Sequence, residues 1–126
     1  MAEIRCVLWN CSGLLLTSSA EEKMDFLATN TNPNFDILVL IETHHKNIND
    51  LPSRLHMLTN NFQLLHTPAG INDSYAGIVI LVSNRLSIIK RSVLIPGRLL
   101  YFKVKNENEE YNISALYGYT SNNASQ

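Results

Sequence analysis

The chain has 126 residues, of which 45% are apolar and 17% charged, a composition that fits one globular domain and excludes a disordered segment. Ten lysines and arginines oppose eleven aspartates and glutamates, so the formal charge of −1 gives no bulk electrostatic reason to expect a nucleic-acid or membrane-surface protein, although it is compatible with a local basic patch. The longest apolar run, residues 76–82, is too short to span a bilayer, and the first residues lack the apolar segment of a signal peptide. We therefore expect an intracellular protein, nuclear or cytoplasmic, that is neither secreted nor inserted in a membrane.

The first third of the sequence predicts a strand, a helix and a second strand. Residues 4–9 are mostly apolar and end at the small and polar residues 10–13, which indicate a loop. Apolar residues then recur at helical spacing and predict a helix over about residues 19–30, and the second strand covers residues 35–41. Strands joined in this way are parallel neighbours buried on both faces, which accounts for the unbroken apolar run that ends the second strand.

The remaining sequence predicts antiparallel strands. Residues 48–60 are ambiguous because leucines at helical spacing surround a proline. Strands are predicted over residues 62–66, 76–82, 87–95, 100–105 and 111–117. We interpret residues 1–126 as one α/β domain with a βαβ start followed by antiparallel strands, with a frayed tail at 121–126.

Two polar residues end the two predicted parallel strands. Asn10 follows the first strand and Glu42 the second, and ligands gather at the carboxyl ends of neighbouring parallel strands. A carboxylate there suits a hard cation such as Mg²⁺, which takes oxygen ligands. The alternatives stay open at this point: Glu42 capping its strand or pairing with Lys46, Asn10 capping a turn, and Tyr117 as an ordinary aromatic at the edge of the core.

Four short motifs, in this order, resemble the endonuclease/exonuclease/phosphatase superfamily. They are LWNCSG at 8–13, LIETHH at 40–45, YAGIVILVS at 75–83 and ISALYGY at 113–119. The residues of these motifs are most similar to the N-terminal motifs of the endonuclease domain of non-LTR retrotransposons. The resemblance implies the N-terminal portion of a two-sheet α/β sandwich that cleaves phosphodiester bonds in DNA with Mg²⁺, or with Mn²⁺ in its place.

The resemblance also implies roles for individual residues. Glu42 matches the metal-binding glutamate of the family, and Asn10 matches the asparagine beside the metal. Tyr117 matches the tyrosine near the scissile phosphate, where its hydroxyl holds an oxygen. His44 is expected to support the site from behind the metal ligands, and His45 is expected at the surface.

The sequence also departs from the family pattern. Gly118, Tyr119 and Thr120 follow the tyrosine where the retrotransposon members have Ala-Pro-Asn. The family's Gly-Asp-Phe-Asn and Ser-Asp-His strings, which carry the catalytic aspartate and histidine, do not occur in the 126 residues. We therefore expect an incomplete domain that is inactive, or nearly so, by itself. We also expect it to supply essentially the first sheet of the sandwich, whose open apolar face would drive self-association or bind a protein partner.

Two other functions fit the same residues. The chain is a non-catalytic interaction module if it uses the open face of the half-sandwich to bind a partner. It belongs to a phosphatase or exonuclease branch of the same superfamily if the residues that select the substrate differ from those of the retrotransposon endonucleases.

Overall fold

A computed structural model describes residues 3–15, 21–25, 35–57 and 60–118 of the chain. These residues form seven strands: β1 (Cys6–Asn10), β2 (Ile37–Ile41), β3 (Phe62–Thr67), β4 (Ile78–Ser83), β5 (Ser87–Ile95), β6 (Leu99–Asn106) and β7 (Glu109–Leu116). Residues 21–25 are helical, Ile48–Asp50 form a 3₁₀ turn, and Ser53–Met57 form a short α-helix. None of the helices in these ranges is long and apolar enough to cross a membrane.

The predicted βαβ start is confirmed over the residues that the structure describes. β1 and β2 pair in parallel, and the helical residues 21–25 lie between them in the chain. The rest of the predicted helix and the predicted frayed tail at 121–126 lie outside the described residues. β4 pairs antiparallel with both β2 and β3, so the first sheet has the order β1-β2-β4-β3.

The apolar run of β2 separates two hydrophobic clusters, one on each face of the first sheet. Ile37 and Val39 belong to the cluster between the two sheets, which we call the inter-sheet core. Leu38 and Leu40 belong to the cluster on the opposite face, which we call the outer core; it includes Met24 of the helical segment. Burial on both faces explains why β2 has no polar residue until it ends.

A second sheet covers the inner face of the first, and here the expectation of an uncovered face is wrong. β5, β6 and β7 form an antiparallel sheet of that order. Its buried residues complete the inter-sheet core: Leu100, Phe102, Val104 and Ala115. These residues alternate along β6 and β7 with exposed or half-buried ones, which is the pattern of a sheet with one wet face.

β5 is the most exposed strand in the described part of the chain. It lies at the edge of the second sheet, and its pairing with β6 is interrupted by two register shifts. Ile89, Val93, Leu94 and Ile95 all keep large exposed apolar surfaces. The large apolar side chains that the second sheet exposes are therefore concentrated on its edge strand β5.

Candidate functional site

The ends of β1 and β2 continue side by side into their loops. Asn10 is opposite Ile41 in the parallel register. Beyond the strands, the amide of Gly13 donates to the carbonyl of Glu42 at 2.7 Å, and the amide of Leu14 donates to Thr43 at 2.8 Å. Residues 10–14 and 42–45 thus form one continuous edge, which we call the rim. The structure brings Asn10 and Glu42 to the same edge, as the sequence predicted.

The rim is also bonded to the segment that precedes β4. The amide of Thr43 donates to the carbonyl of Gly77 at 3.2 Å, and the amide of His44 donates to Ala76 at 2.9 Å. Because hydrogen bonds from both neighbours hold residues 42–44, the backbone there is tightly constrained. Such constraint is what allows strained conformations to persist.

Three residues of the rim take backbone conformations that non-glycine residues rarely adopt: Ser12, with φ 51°, Glu42 and His44. Glu42 has φ 59° and His44 has φ 65°, both in the left-handed region. Each such residue costs about 1–3 kcal/mol, and strain of this kind concentrates at functional sites. Gly77, on the neighbouring segment, has φ 116°, and a β-carbon there would lie 3.2 Å from the amide nitrogen of His44. The close approach of the two segments therefore requires glycine at position 77.

The carboxylate of Glu42 faces two functional groups. Its Oε1 lies 3.7 Å from Nε2 of His44, and both side chains are about four-fifths buried, with 20% of each exposed. Tyr117 lies close enough to the same carboxylate for its negative charge to act on the phenol hydroxyl. Burial, followed by the negative charge of Glu42, raises the pKa of Tyr117, so the hydroxyl stays protonated at neutral pH and can donate a hydrogen bond.

The imidazole of His44 is fixed in orientation by its surroundings. Tyr75 packs edge-on against it with ring centroids 5.3 Å apart. On its other side Gly13 approaches so closely that a β-carbon there would lie 2.9 Å from Nδ1. Nε2 is buried and has no hydrogen-bond partner among the described residues. The ring therefore directs an unsatisfied nitrogen toward Glu42.

Tyr117 is held by an arginine that the sequence analysis did not identify. Arg98 is only 3% exposed, and its guanidinium lies 4.4 Å from the centroid of the Tyr117 ring. It donates hydrogen bonds to the carbonyls of Tyr117 and Gly118 at 3.3 and 3.0 Å. Its own carbonyl accepts the amide of Tyr117 at 2.8 Å. Contacts to both the ring and the backbone place the tyrosine despite the absence of a proline after it.

Asp73 completes this arrangement by pairing with Arg98. Its two carboxylate oxygens accept bonds of 2.7 and 2.6 Å from Nε and Nη2, a bidentate geometry. The hydrogen bonds from Arg98 hold the pKa of Asp73 below its usual range. The sequence did not predict the pairing of Asp73 with Arg98, because the two residues are 25 positions apart and lie in a loop and a turn.

The side chain of Asn10 is exposed and takes part in the loop that follows it. Its Oδ1 accepts a hydrogen bond of 3.0 Å from the amide of Ser12, which is a turn-capping contact. Lys23 secures the same loop, because its Nζ donates to the carbonyls of Ser12 and Gly13 at 3.0 and 2.7 Å. The loop after β1 is therefore held by its own asparagine and by the helical segment.

His45 is buried, so the expectation that it lies at the surface is wrong. It is 0% exposed, its Nδ1 lies 2.5 Å from the hydroxyl of Thr43, and its Nε2 lies 3.1 Å from Nδ1 of His66. Burial, and then the neighbouring His66, lowers the pKa of His45 to about 4. The residue is thus a neutral, buried histidine at the end of the rim, with a hydrogen-bond partner at both ring nitrogens.

The described residues contain no cluster of three or more side chains that could bind a metal ion together. Among the described residues, no three histidines, cysteines, aspartates or glutamates are grouped so that they could hold one ion. The rim offers a smaller donor set, the Glu42 carboxylate and the unsatisfied His44 nitrogen. A divalent ion held by one or two protein side chains, with water or substrate completing its shell, is compatible with that set.

Comparison with known proteins identifies a fold. No protein-family model and no curated protein matches the chain. Among solved structures, the crystal structure of D. rerio TDP2 complexed with single strand DNA product is similar, with a TM-score of 0.55 and 18% identity over 88% of this chain. The matched region is 44% of that chain, so this protein spans less than half the length of its structural neighbour. At this identity the likeness shows a shared fold.

Proposed function

We propose that this chain is the N-terminal portion of a metal-dependent DNA phosphodiesterase of the endonuclease/exonuclease/phosphatase superfamily, of the retrotransposon endonuclease type. The observation that carries the proposal is the proximity of Tyr117 to the Glu42 carboxylate, which follows the parallel pair β1–β2. The likeness in fold to a protein complexed with a DNA product supports it. DNA is accordingly the proposed partner.

Glu42, with Asn10 beside it, would hold Mg²⁺ or Mn²⁺. The donor chemistry fits, since Glu42 presents a carboxylate at an edge and Asn10 ends the adjacent strand. The ion, when bound, polarises a phosphoryl oxygen and stabilises the charge of the leaving oxygen. Both residues stand on backbone fixed by hydrogen bonds to neighbouring segments, so the ligands need little reorganisation.

Tyr117 would hold a phosphate oxygen. Its raised pKa keeps the hydroxyl protonated at neutral pH, so it acts as a hydrogen-bond donor toward an anion. Arg98 stacks on the ring and bonds the local backbone, so the hydroxyl is presented in one orientation. The arginine contributes by positioning Tyr117, because its own donors are occupied by Asp73 and backbone carbonyls.

Binding, rather than cleavage, is the activity we expect from this chain alone. The strings that carry the family's catalytic aspartate and histidine have no counterpart in these 126 residues. General acid–base groups contribute about 10²–10⁴-fold to such reactions, and Glu42 cannot bind the metal and also replace them. The rim would therefore retain the metal and phosphate contacts of the enzyme without its full chemistry.

A fluorescence-anisotropy titration of a short single-stranded DNA tests the proposal. Mg²⁺ should tighten binding to the wild type and to the control Glu22→Gln, an exposed glutamate in the helical segment. Glu42→Gln should lose this Mg²⁺ effect, and Tyr117→Phe should weaken binding about tenfold, the loss of one good hydrogen bond to a charged oxygen. Equal Mg²⁺ dependence in wild type and Glu42→Gln would remove Glu42 from the function.

The exposed apolar strand β5 favours a second candidate, a non-catalytic interaction module. Val93 and Leu94 are 47% and 57% exposed on the edge of the second sheet, where another strand or a second copy of the chain could pair. This function predicts self-association that is independent of divalent metal. Sedimentation of the wild type and of Val93→Lys separates the two candidates. If the chain is an interaction module, the wild type should self-associate and the Val93→Lys variant should not.

A further inference from the structure

The geometry of His44 goes beyond a supporting role. Its Nε2 is buried, has no hydrogen-bond partner among the described residues, and lies 3.7 Å from Oε1 of Glu42. Buried polar atoms are nearly always satisfied in folded proteins, so an orphaned nitrogen aimed at a carboxylate calls for a partner that the protein itself does not supply.

The nitrogen is also prevented from turning elsewhere. Tyr75 contacts one side of the imidazole edge-on, and the backbone of Gly13 lies against the Nδ1 edge. The backbone of Glu42 and of His44 is in the left-handed region at both positions, and Thr43 between them is hydrogen-bonded to the segment before β4. The pair is therefore built with its two ligand atoms facing each other.

We propose that Nε2 of His44 and Oε1 of Glu42 bind one divalent cation together, which makes the rim a mixed nitrogen and oxygen site. Zn²⁺, for example, binds imidazole nitrogen at about 2.0–2.1 Å and carboxylate oxygen at about 2.0–2.2 Å, so one such ion can reach both atoms across the 3.7 Å gap. This assignment rests on the proposed function, which gives the metal to Glu42 and Asn10, and it adds His44 as a nitrogen ligand.

A mixed site has a different metal preference from a carboxylate alone. Imidazole suits Zn²⁺, Co²⁺ and other transition metals, whereas Mg²⁺ prefers oxygen ligands and retains several waters. The site should therefore bind Zn²⁺ and Co²⁺ more tightly than Mg²⁺, with Mn²⁺ between them. The competing explanation is a direct contact between the imidazole and Glu42 without a metal ion, and it predicts no metal preference that depends on His44.

Metal titrations of the full chain distinguish these explanations without an activity assay. The visible absorption of bound Co²⁺ gives its dissociation constant, and competition against Co²⁺ gives those of Zn²⁺ and Mg²⁺. The test variant is His44→Phe, which keeps an aromatic ring against Tyr75, with His44→Gln as a second variant. His56→Gln is the matched control, since His56 is another half-buried histidine, and its Nε2 contacts the carbonyl of Ile48.

The expected result is at least tenfold tighter Co²⁺ than Mg²⁺ binding in the wild type and in His56→Gln. Both His44 variants should lose at least tenfold in Co²⁺ and Zn²⁺ affinity, with Mg²⁺ affinity changed by less than twofold. Nitrogen NMR of the imidazoles should show the Zn²⁺-induced shift at Nε2 of His44. A shift at His45 and His66 instead, or unchanged Co²⁺ affinity in both variants, overturns the inference.

The same experiment separates this inference from the proposed function. Mg²⁺ binding that depends on Glu42 but not on His44, without a preference for Co²⁺, leaves the proposed function standing and refutes the mixed site. Divalent binding that is insensitive to both Glu42→Gln and His44→Phe refutes both.

Discussion

Replacing Asp73 with asparagine should destabilise the fold by a measurable and predictable amount. Asp73 accepts two short hydrogen bonds from Arg98, whose side chain is 4% exposed, while 29% of the Asp73 side chain is exposed. Removing one partner of a fully buried ion pair costs about 3–5 kcal/mol because the other charge is left buried. Water can reach the exposed side of position 73, so we expect about 2–3 kcal/mol, a large part of the stability of a small domain.

The effect of Asp73→Asn should also depend on pH. The folded-state pKa of Asp73 is lowered, so its stabilising contribution is complete above the unfolded-state pKa and is lost as pH falls through the folded-state pKa. The stability difference between wild type and variant should therefore be largest near pH 7 and should shrink as the pH falls below about 4.

Urea unfolding followed by fluorescence of Trp9, the only tryptophan, measures both effects. The control is Glu110→Gln, which breaks the more exposed pair between Lys103 and Glu110 at 3.9 Å and should change stability by less than about 1 kcal/mol. If Asp73→Asn is as stable as this control at pH 7, the pair with Arg98 does not stabilise the fold, and the account of how Tyr117 is positioned fails with it.

Two further predictions concern the residues that surround the rim. Gly77→Ala should destabilise the protein by at least about 1–3 kcal/mol in thermal or urea unfolding, because φ is 116° and the new methyl group would collide with Thr43. The control Gly118→Ala should leave stability unchanged, because the space around Gly118 is open. Because the pKa of His45 is lowered to about 4, the unfolded state binds more protons between about pH 4 and 6.5, so wild-type stability should fall by about 3 kcal/mol as pH decreases through that window. His45→Phe should flatten this slope, and an unchanged slope would show that His45 is not the group responsible.

The sequence predicted the elements whose burial pattern is unambiguous. β2 could be read as a doubly buried parallel strand because all five of its residues are apolar, and the alternation of β6 correctly predicted one wet face. The assignment of strands to sheets was less accessible. β4 and β5 are consecutive and could have paired antiparallel in one sheet, yet they belong to different sheets. The turn at Asn84 and Arg85 ends β4, but a turn signal in the sequence does not specify which strand the following strand pairs with.

The candidate site likewise contains some residues whose placement the sequence predicted and others whose placement it did not. Glu42 and Asn10 could be brought to one edge from the strand ends alone, because parallel neighbours align their carboxyl ends. The burial of His45 could not be predicted from the sequence, and neither could the pairing of Arg98 with Asp73. A polar residue at the end of a strand has no periodicity that reveals its surroundings. Such residues are satisfied by partners 21 and 25 positions away, and only the folded structure brings those partners together.

The left-handed backbone at Glu42 explains how a strand buried on both faces can end in a carboxylate that lies beside Tyr117. Ile41 packs against the inter-sheet core, so regular alternation would direct Glu42 toward the outer core with Leu40. Tyr117, however, follows β7 of the second sheet, and the Glu42 carboxylate is near enough for its charge to raise the pKa of Tyr117. The positive φ breaks the alternation at this residue and turns its side chain toward the second sheet. The strain this requires is offset by hydrogen bonds from both neighbouring segments, so a tight rim is the condition for the carboxylate to lie beside the tyrosine.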